Sequence, residues 1–192
     1  MELLLEFEPG ILNTWIFMIW LLIFPILARI IITQKAVAQI LSTSVPMTHE
    51  KTLNILSMTA IIIGVLYSFF LPLKLRAITF YPGLLLFITT FILHFIILLT
   101  IRHATPNKPF TQGPYKISRH PLYLALTLML IANILMSLSL IIFIVLIITT
   151  IHLILAMPAE EQYCLKKYGK QYQNYLDQTP RFLGLPRNTK QN

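Results

Sequence analysis

Charge is what this sequence has least of. Only 11% of its 192 residues are charged, against about a quarter in an average soluble domain. A single cysteine, Cys164, rules out an intrachain disulfide and with it a disulfide-rich secreted scaffold. The first ten residues contain three glutamates and no basic residue, which does not fit the start of a cleaved signal peptide. These absences argue against a soluble domain and indicate a chain that lies in lipid.

Long apolar runs take the place of the missing charge, and the mean hydropathy is +0.74. A helix needs roughly 20 apolar residues to cross roughly 30 Å of hydrocarbon. The last run has 34 residues and would measure about 51 Å as one helix, so we expect it to fold back at the polar break between Asn133 and Ser139. The sequence therefore predicts an all-α membrane protein with five transmembrane helices, the last two forming a tight hairpin. The runs are 11–32, 53–73, 80–101 and 122–155.

The basic residues select this number of spans. With five spans, thirteen Lys and Arg fall on one side of the membrane, and Lys74 and Arg76 fall on the other. Four spans would divide them eight to seven. Because Lys and Arg are concentrated in cytoplasmic loops, the count favours five spans, an external N-terminus and a cytosolic C-terminus. It also explains the net charge of +8 without nucleic acid as a partner. The expected location is the cell membrane, or the endoplasmic reticulum of a eukaryote.

A basic and aromatic loop, GPYKISRHPLY, joins the third and fourth helices. Gly113 and Pro114 indicate a turn, and Pro121 suits the first turn of the next helix. This places Arg119 and His120 at a helix N-terminus, where free N–H groups favour anions. Two interpretations stay open: an ordinary interfacial connector, or a site for an anionic ligand that also carries an aromatic ring.

The hairpin is followed by AMPAEEQYCLKKYGKQYQNYLDQTPRF. Glu160 and Glu161 come just after Pro158, so we expect them in the first turn of a C-terminal helix, where acidic residues complement the helix dipole. Apolar residues from Cys164 to Leu176 recur at helical spacing, which predicts an amphipathic helix on the cytosolic membrane surface. The segment is interpretable as an interfacial anchor alone. Five spans nevertheless place the carboxylate pair and the basic loop on one face, where together they suit a zwitterion.

In this order, the pieces G-x-Y, R-H-P-x-Y, paired Glu, Y-G-x-x-Y-x-x-Y and P-R-F resemble the C-terminal half of the isoprenylcysteine carboxyl methyltransferase family. The related phospholipid methyltransferases are similar in the same region. The resemblance covers about residues 108–182. It implies an integral membrane enzyme that transfers a methyl group from S-adenosylmethionine and releases S-adenosylhomocysteine. It also divides the chain into N-terminal transmembrane helices (1–105) and a methyltransferase motif region (106–192).

The resemblance also implies roles for individual residues. Glu161 would meet the amino acid end of the cofactor with Glu160 in support, and these two with Arg119 are the predicted catalytic residues. Asn107 aligns more loosely with a cofactor-binding stretch. The other positions predicted to hold the cofactor are Lys108, Pro109, Phe110, Gln112, Tyr115, His120, Pro121, Leu122 and Tyr123. In place of an Arg that suits the substrate carboxylate of the prenylcysteine enzymes, this chain has Ala156, and where many bacterial relatives have another Arg it has Pro158.

The predicted partner is a lipid-like or prenylated acceptor that enters from the bilayer, and phospholipid N-methylation is an alternative to carboxyl methylation. No metal is expected, because His49, His94, His103 and His152 show no ligand spacing. His94 and His152 are interpreted as hydrogen-bonded core residues. Two other classes stay open: a small membrane transporter or subunit, and a membrane reductase similar to the sterol reductases.

The charge distribution predicts that the two termini lie on opposite sides of the membrane. With Cys164 replaced by serine, the single variants Glu2→Cys and Lys190→Cys should react with an impermeant thiol reagent from opposite faces of sealed vesicles. Lys190→Cys should react from the cytosolic face. Labelling of both positions from one face would rule out the five-span topology.

Overall fold

A computed structural model of the protein describes residues 10, 12–32, 48–103 and 108–183. These residues form α-helices and no strand beyond an isolated bridge between Asn13 and Pro72. The helices are α1 (Trp15–Met18), α2 (Trp20–Ile31), α3 (Thr48–Ser68), α4 (Phe80–Arg102), α5 (Pro121–Ser137), α6 (Leu140–Tyr168) and α7 (Lys170–Gln178), with a 3-10 turn (Gly113–Lys116) before α5.

Three of the described helices are long and apolar enough to cross a membrane: α3 from Lys51 to Ser68, α4 and α6. The stretch Trp15–Ile31 and helix α5 are apolar but shorter. Large apolar side chains such as Leu85 and Ile151 are exposed on the long helices, as lipid-facing positions are. The all-α prediction is confirmed, and the number of five spans stays a prediction.

The predicted hairpin break is confirmed. Helix α5 ends at Leu138, which has a left-handed backbone with φ 53°, and the Ser139 hydroxyl accepts a hydrogen bond from the Ile142 backbone N–H and caps α6. The first predicted span contains α1 and α2, and Ile19 between them keeps a right-handed helical backbone. Asn107, the side chain of His49, loop 33–47 and the tail from 184 lie outside the described residues.

The sequence predicts that the C-terminal helix begins at Pro158, and this prediction is wrong. Helix α6 continues through Pro158 to Tyr168, and the chain breaks only at Gly169, which has φ 54°. Proline removes one helical hydrogen bond, whereas a positive φ at glycine ends the helix altogether. Glu160 and Glu161 therefore lie within a 29-residue helix and do not complement the dipole of a first turn.

Packing places α5 between α4 and α6, with α3 against α6 and α2 against α4. A cluster of Met18, Val65, Leu130 and Val145 forms one part of the core. His94 is buried near the rings of Trp20 and Phe24, and its Nδ1 lies 2.8 Å from the Thr90 carbonyl oxygen. This agrees with its interpretation as a hydrogen-bonded core residue.

Gly83 sets how closely α4 approaches α5, and Gly83→Ala should destabilise the protein. A Cβ there would lie 2.8 Å from Leu135 Cβ, 2.9 Å from Met136 Cγ and 3.0 Å from the Ala132 carbonyl oxygen. Overpacking of this kind costs about 1–3 kcal/mol, which thermal unfolding in detergent would measure. The control is Gly64→Ala, whose Cβ meets only side chains, the nearest 3.1 Å away. An equal loss of stability in both variants would contradict the close α4–α5 contact.

Candidate functional site

A cavity of about 230 Å³ lies at the end of the bundle where α5 begins. The end of α4, the loop before α5, the last turns of α6 and helix α7 form its walls. The lining side chains are Ile101, Pro109, Phe110, Tyr115, Arg119, His120, Pro121, Leu122, Tyr123, Glu160, Cys164, Tyr168, Tyr172 and Tyr175.

Seven of the ten residues predicted to hold the cofactor are among these lining residues, as are Arg119 and Glu160. Lys108 and Gln112 are exposed and do not line the cavity. Glu161 is buried behind the wall. The structure thus brings most of the predicted residues together around one space.

Sequence reasoning missed the part of the wall that comes from α4, the end of α6 and α7. These residues are Ile101, Cys164, Tyr168, Tyr172 and Tyr175. The helical spacing of the tyrosines is their signal, but it predicts a face turned to lipid. In the structure Tyr172 and Tyr175 are buried, and that face closes the cavity. The apolar side of α7 is therefore covered by protein, while a position of α7 at the membrane surface stays a prediction.

The loop before α5 is held against α4 by a close approach at Gly113. This residue has φ 56°, and a Cβ there would lie 2.6 Å from Thr100 Oγ1. Glycine is the residue that adopts this backbone without strain and leaves the space free. The tight turn directs Tyr115 into the cavity wall beside Phe110, with 5.7 Å between ring centroids.

Several hydrogen bonds join the loop before α5 to the C-terminal segment. The Tyr175 hydroxyl donates to the Tyr115 carbonyl oxygen (2.7 Å), and Arg119 Nη1 donates to the Leu176 carbonyl oxygen (3.0 Å). The Arg119 backbone N–H donates to the Pro180 carbonyl oxygen (2.9 Å). The Ser118 hydroxyl donates to the carbonyl oxygen of Arg181 (2.9 Å). Residues 175–181 are consequently held against the loop, and Tyr175 lines the cavity.

Glu161 is neutralised by groups from both sides of this junction. Arg181 donates through Nε and Nη2 to both carboxylate oxygens, at 2.7–3.1 Å. His120 Nε2 lies 3.2 Å from Glu161 Oε1. Arg119 Nε is also 3.2 Å from that oxygen, but its N–H lacks hydrogen-bond geometry, so we treat this contact as electrostatic only. The carboxylate of Glu161 is therefore fully engaged within the protein.

Glu160 is the carboxylate that faces the cavity. Its side chain is 36% exposed, against 8% for Glu161. The Tyr123 hydroxyl donates a hydrogen bond to Glu160, and His120 Nδ1 lies 3.6 Å from Glu160 Oε2. The His120 ring stacks on Tyr123 with 5.3 Å between centroids. Since successive helical residues point about 100° apart, the two glutamates face different surroundings, with His120 between them.

Three phenols of the cavity wall, those of Tyr115, Tyr172 and Tyr175, are stabilised in their neutral form. Burial, and after it the charge of Glu160, raises the pKa of Tyr115. Burial is also the main reason that the pKa values of Tyr172 and Tyr175 are raised. The hydrogen bonds to Glu161 raise the pKa of the Arg181 guanidinium. The wall therefore presents neutral hydroxyl groups and aromatic rings, with the charges of Arg119 and Glu160 between them.

Comparison with known proteins finds one family that this part of the chain resembles. Residues 78–171 match the family model described as phospholipid methyltransferase, a stretch that includes the loop, the α5–α6 hairpin and both glutamates. Over this region, the chain resembles the phospholipid methyltransferase family. The match confirms the resemblance read from the sequence, and together with the apolar helices it supports a membrane methyltransferase. No curated protein and no solved structure matches the chain.

The different surroundings of the two glutamates predict different losses of stability. Glu161→Gln keeps the shape of the side chain but removes the charge that two arginines and His120 face. Because hydrogen bonds to charged groups contribute about 1.5–3 kcal/mol, this variant should unfold at a clearly lower temperature in detergent. Glu160→Gln is the matched control and should cost less, since its side chain is partly exposed. Equal unfolding temperatures for the two variants would contradict the network.

Proposed function

We propose that this protein is an integral membrane methyltransferase that uses S-adenosylmethionine and methylates a lipid-like acceptor. The observation that carries the proposal is the cavity between the GPYKISRHPLY loop and the last turns of α6, which combines aromatic rings, one arginine and one carboxylate. The family match supports methyl transfer as the reaction class.

The residues of the cavity fit this cofactor. At about 230 Å³, the cavity is slightly smaller than the roughly 300–1,000 Å³ of typical small-molecule sites. Phe110, Tyr115 and Tyr123 offer aromatic faces for a purine ring. Glu160 offers a negative charge for an ammonium or sulfonium group, and Arg119 offers a positive charge for a carboxylate.

The protein's task in such a reaction is alignment and control of charge. When bound, S-adenosylmethionine supplies an electrophilic methyl group on a positively charged sulfur. In-line displacement depends chiefly on how well the reacting groups are oriented. Tyr123 and His120 both contact the Glu160 carboxylate and so hold it in place, while Ile101 and Leu122 form an apolar part of the wall.

The depth of the cavity supports a lipid-like acceptor. Helix α5 has 17 residues and is about 25 Å long. From the hairpin turn at Leu140, Glu160 lies about 30 Å along α6. The hydrocarbon layer is about 30 Å thick. If the hairpin turn lies at one boundary of this layer, the cavity lies near the opposite boundary, at the headgroups. Its proposed face is the cytosolic one, from the distribution of basic residues along the chain.

A phospholipid is favoured over a prenylcysteine as the acceptor. Ala156, which replaces an arginine of the prenylcysteine enzymes, is buried and offers no charge for a substrate carboxylate. The family description also names phospholipids. An amine acceptor must lose a proton, and Glu160 is the cavity carboxylate that can accept it. A radiolabelled methyl-transfer assay with aminophospholipids and prenylated peptides as alternative acceptors decides between them.

Glu160→Gln should weaken the binding of S-adenosylhomocysteine while leaving the protein folded. A charge-assisted hydrogen bond is worth about 1.5–3 kcal/mol, so calorimetry on the purified protein should show a loss of roughly tenfold to a hundredfold in affinity. This order of effects differs from the sequence-based expectation, in which Glu161 is the principal cofactor contact.

The thiol of Cys164 is a built-in test of where the ligand binds, because it lines the cavity and is the chain's single cysteine. S-adenosylhomocysteine should slow alkylation of Cys164 in the wild-type protein and protect it much less in Glu160→Gln. Wild-type protein that binds no S-adenosylhomocysteine, and is not protected by it, would refute the proposed cofactor and leave the transporter hypothesis as the better account.

A further inference from the structure

We propose that Arg181 is a positioning residue for the methyl-transfer site, an inference that rests on the proposed function. Arg181 lies ten residues beyond the end of the matched family region, and it does not line the cavity. Its side chain is 44% exposed. Its effect on the cavity passes through Glu161 and His120.

The guanidinium of Arg181 fixes the orientation of Glu161. Nε donates to both oxygens at 3.0 and 3.1 Å, and Nη2 donates to Oε2 at 2.7 Å. A planar guanidinium that contacts both oxygens restricts rotation of the carboxylate as well as neutralising it. This leaves Oε1 directed at His120, whose Nε2 is 3.2 Å away.

The backbone of the same residue fixes the loop that carries His120. The Arg181 carbonyl oxygen accepts hydrogen bonds from the Ser118 hydroxyl at 2.9 Å and from the His120 backbone N–H at 3.4 Å. One residue thus holds His120 twice, through the main chain directly and through the imidazole by way of Glu161.

His120 transmits this position to the cavity. Its side chain is 7% exposed, stacked on Tyr123 and 3.6 Å from Glu160. Tyr123 in turn donates to Glu160. A displaced imidazole would therefore shift the two groups that face the ligand.

Arg181 also leaves Arg119 available to the cavity. Arg119 lines the cavity and donates through Nη1 to the Leu176 carbonyl oxygen, while its contact with Glu161 is electrostatic. Without Arg181, Arg119 is the remaining arginine beside the buried carboxylate. Turning towards Glu161 would withdraw its charge from the cavity.

The test compares Arg181→Gln, Arg181→Lys and the control Lys170→Gln, which removes a charge from an exposed residue of the same C-terminal segment. Arg181→Gln should lower the affinity for S-adenosylhomocysteine by about tenfold. Arg181→Lys keeps the charge without the two-oxygen contact and should recover part of the loss. Lys170→Gln should bind like the wild type. In a Glu161→Gln background, Arg181→Gln should add little, because both changes break the same chain of contacts.

A second readout separates positioning from a general loss of stability. In protein labelled with ¹⁵N-histidine, Arg181→Gln should shift the imidazole signals of His120, assigned through a His120→Gln variant, and Lys170→Gln should leave them unchanged. Unchanged His120 signals in folded Arg181→Gln and Arg181→Lys would overturn the proposal, as would full additivity with Glu161→Gln. If the wild type binds no S-adenosylhomocysteine, the proposed function fails, and the His120 signals alone decide the role of Arg181.

Discussion

A carboxylate buried at the end of a membrane helix has to be neutralised by the protein itself. Removing an ion from water costs several kcal/mol even after the protein relaxes, and Glu161 is only 6% exposed. Its partners come from two segments far apart in sequence: Arg119 and His120 precede α5, and Arg181 follows α7. Because groups from both segments neutralise this one charge, the loop and the C-terminal segment are in contact.

The cavity is a consequence of that contact. Glu161 links the loop to the C-terminal segment, and hydrogen bonds from Tyr175, Ser118 and Arg119 add to this junction. The apolar face of α7 covers the space between the two segments. Glu160, one residue away on α6, is left on the inner side of the junction. Glu161 thus joins the segments that form the wall, and Glu160 faces the cavity. The sequence alone does not distinguish these two roles.

Local signals in the sequence predict the helical hairpin, and the resemblance to a known family predicts most of the cavity residues. The polar break before Ser139 and the proline that opens α5 determine where helices end, and both helix boundaries are found there. Local signals do not predict which of the two glutamates faces the cavity. It depends on whether α6 stops or continues at Pro158, and in a well-packed helix the loss of one hydrogen bond does not decide that.

The burial of Tyr172 and Tyr175 and the ion pair of Arg181 were not predicted, for a different reason. Periodicity shows that the face carrying Tyr172 and Tyr175 is apolar, but it cannot show whether lipid or protein covers that face. The structure shows that protein does. Arg181 follows a proline in a short motif, and its ion pair spans 20 residues of sequence, so no helical spacing points from one partner to the other.

Because charged residues are scarce in this chain, the group formed by Glu160, Glu161, Arg119 and Arg181 is informative about function. Apart from the acidic residues of the first 50 positions, the sequence contains three: Glu160, Glu161 and Asp177. Ionisable groups near hydrocarbon are costly and mark functional positions by default, and a methyl donor that carries an ammonium, a sulfonium and a carboxylate needs charges of both signs around it. Two of the three carboxylates lie side by side near the end of α6. Arg181 pairs with Glu161, while Arg119 lines the cavity. The two arginines and the two glutamates balance in charge, and the cavity wall contains Arg119 and Glu160, which are of opposite sign. The proposed zwitterionic ligand requires charges of both signs.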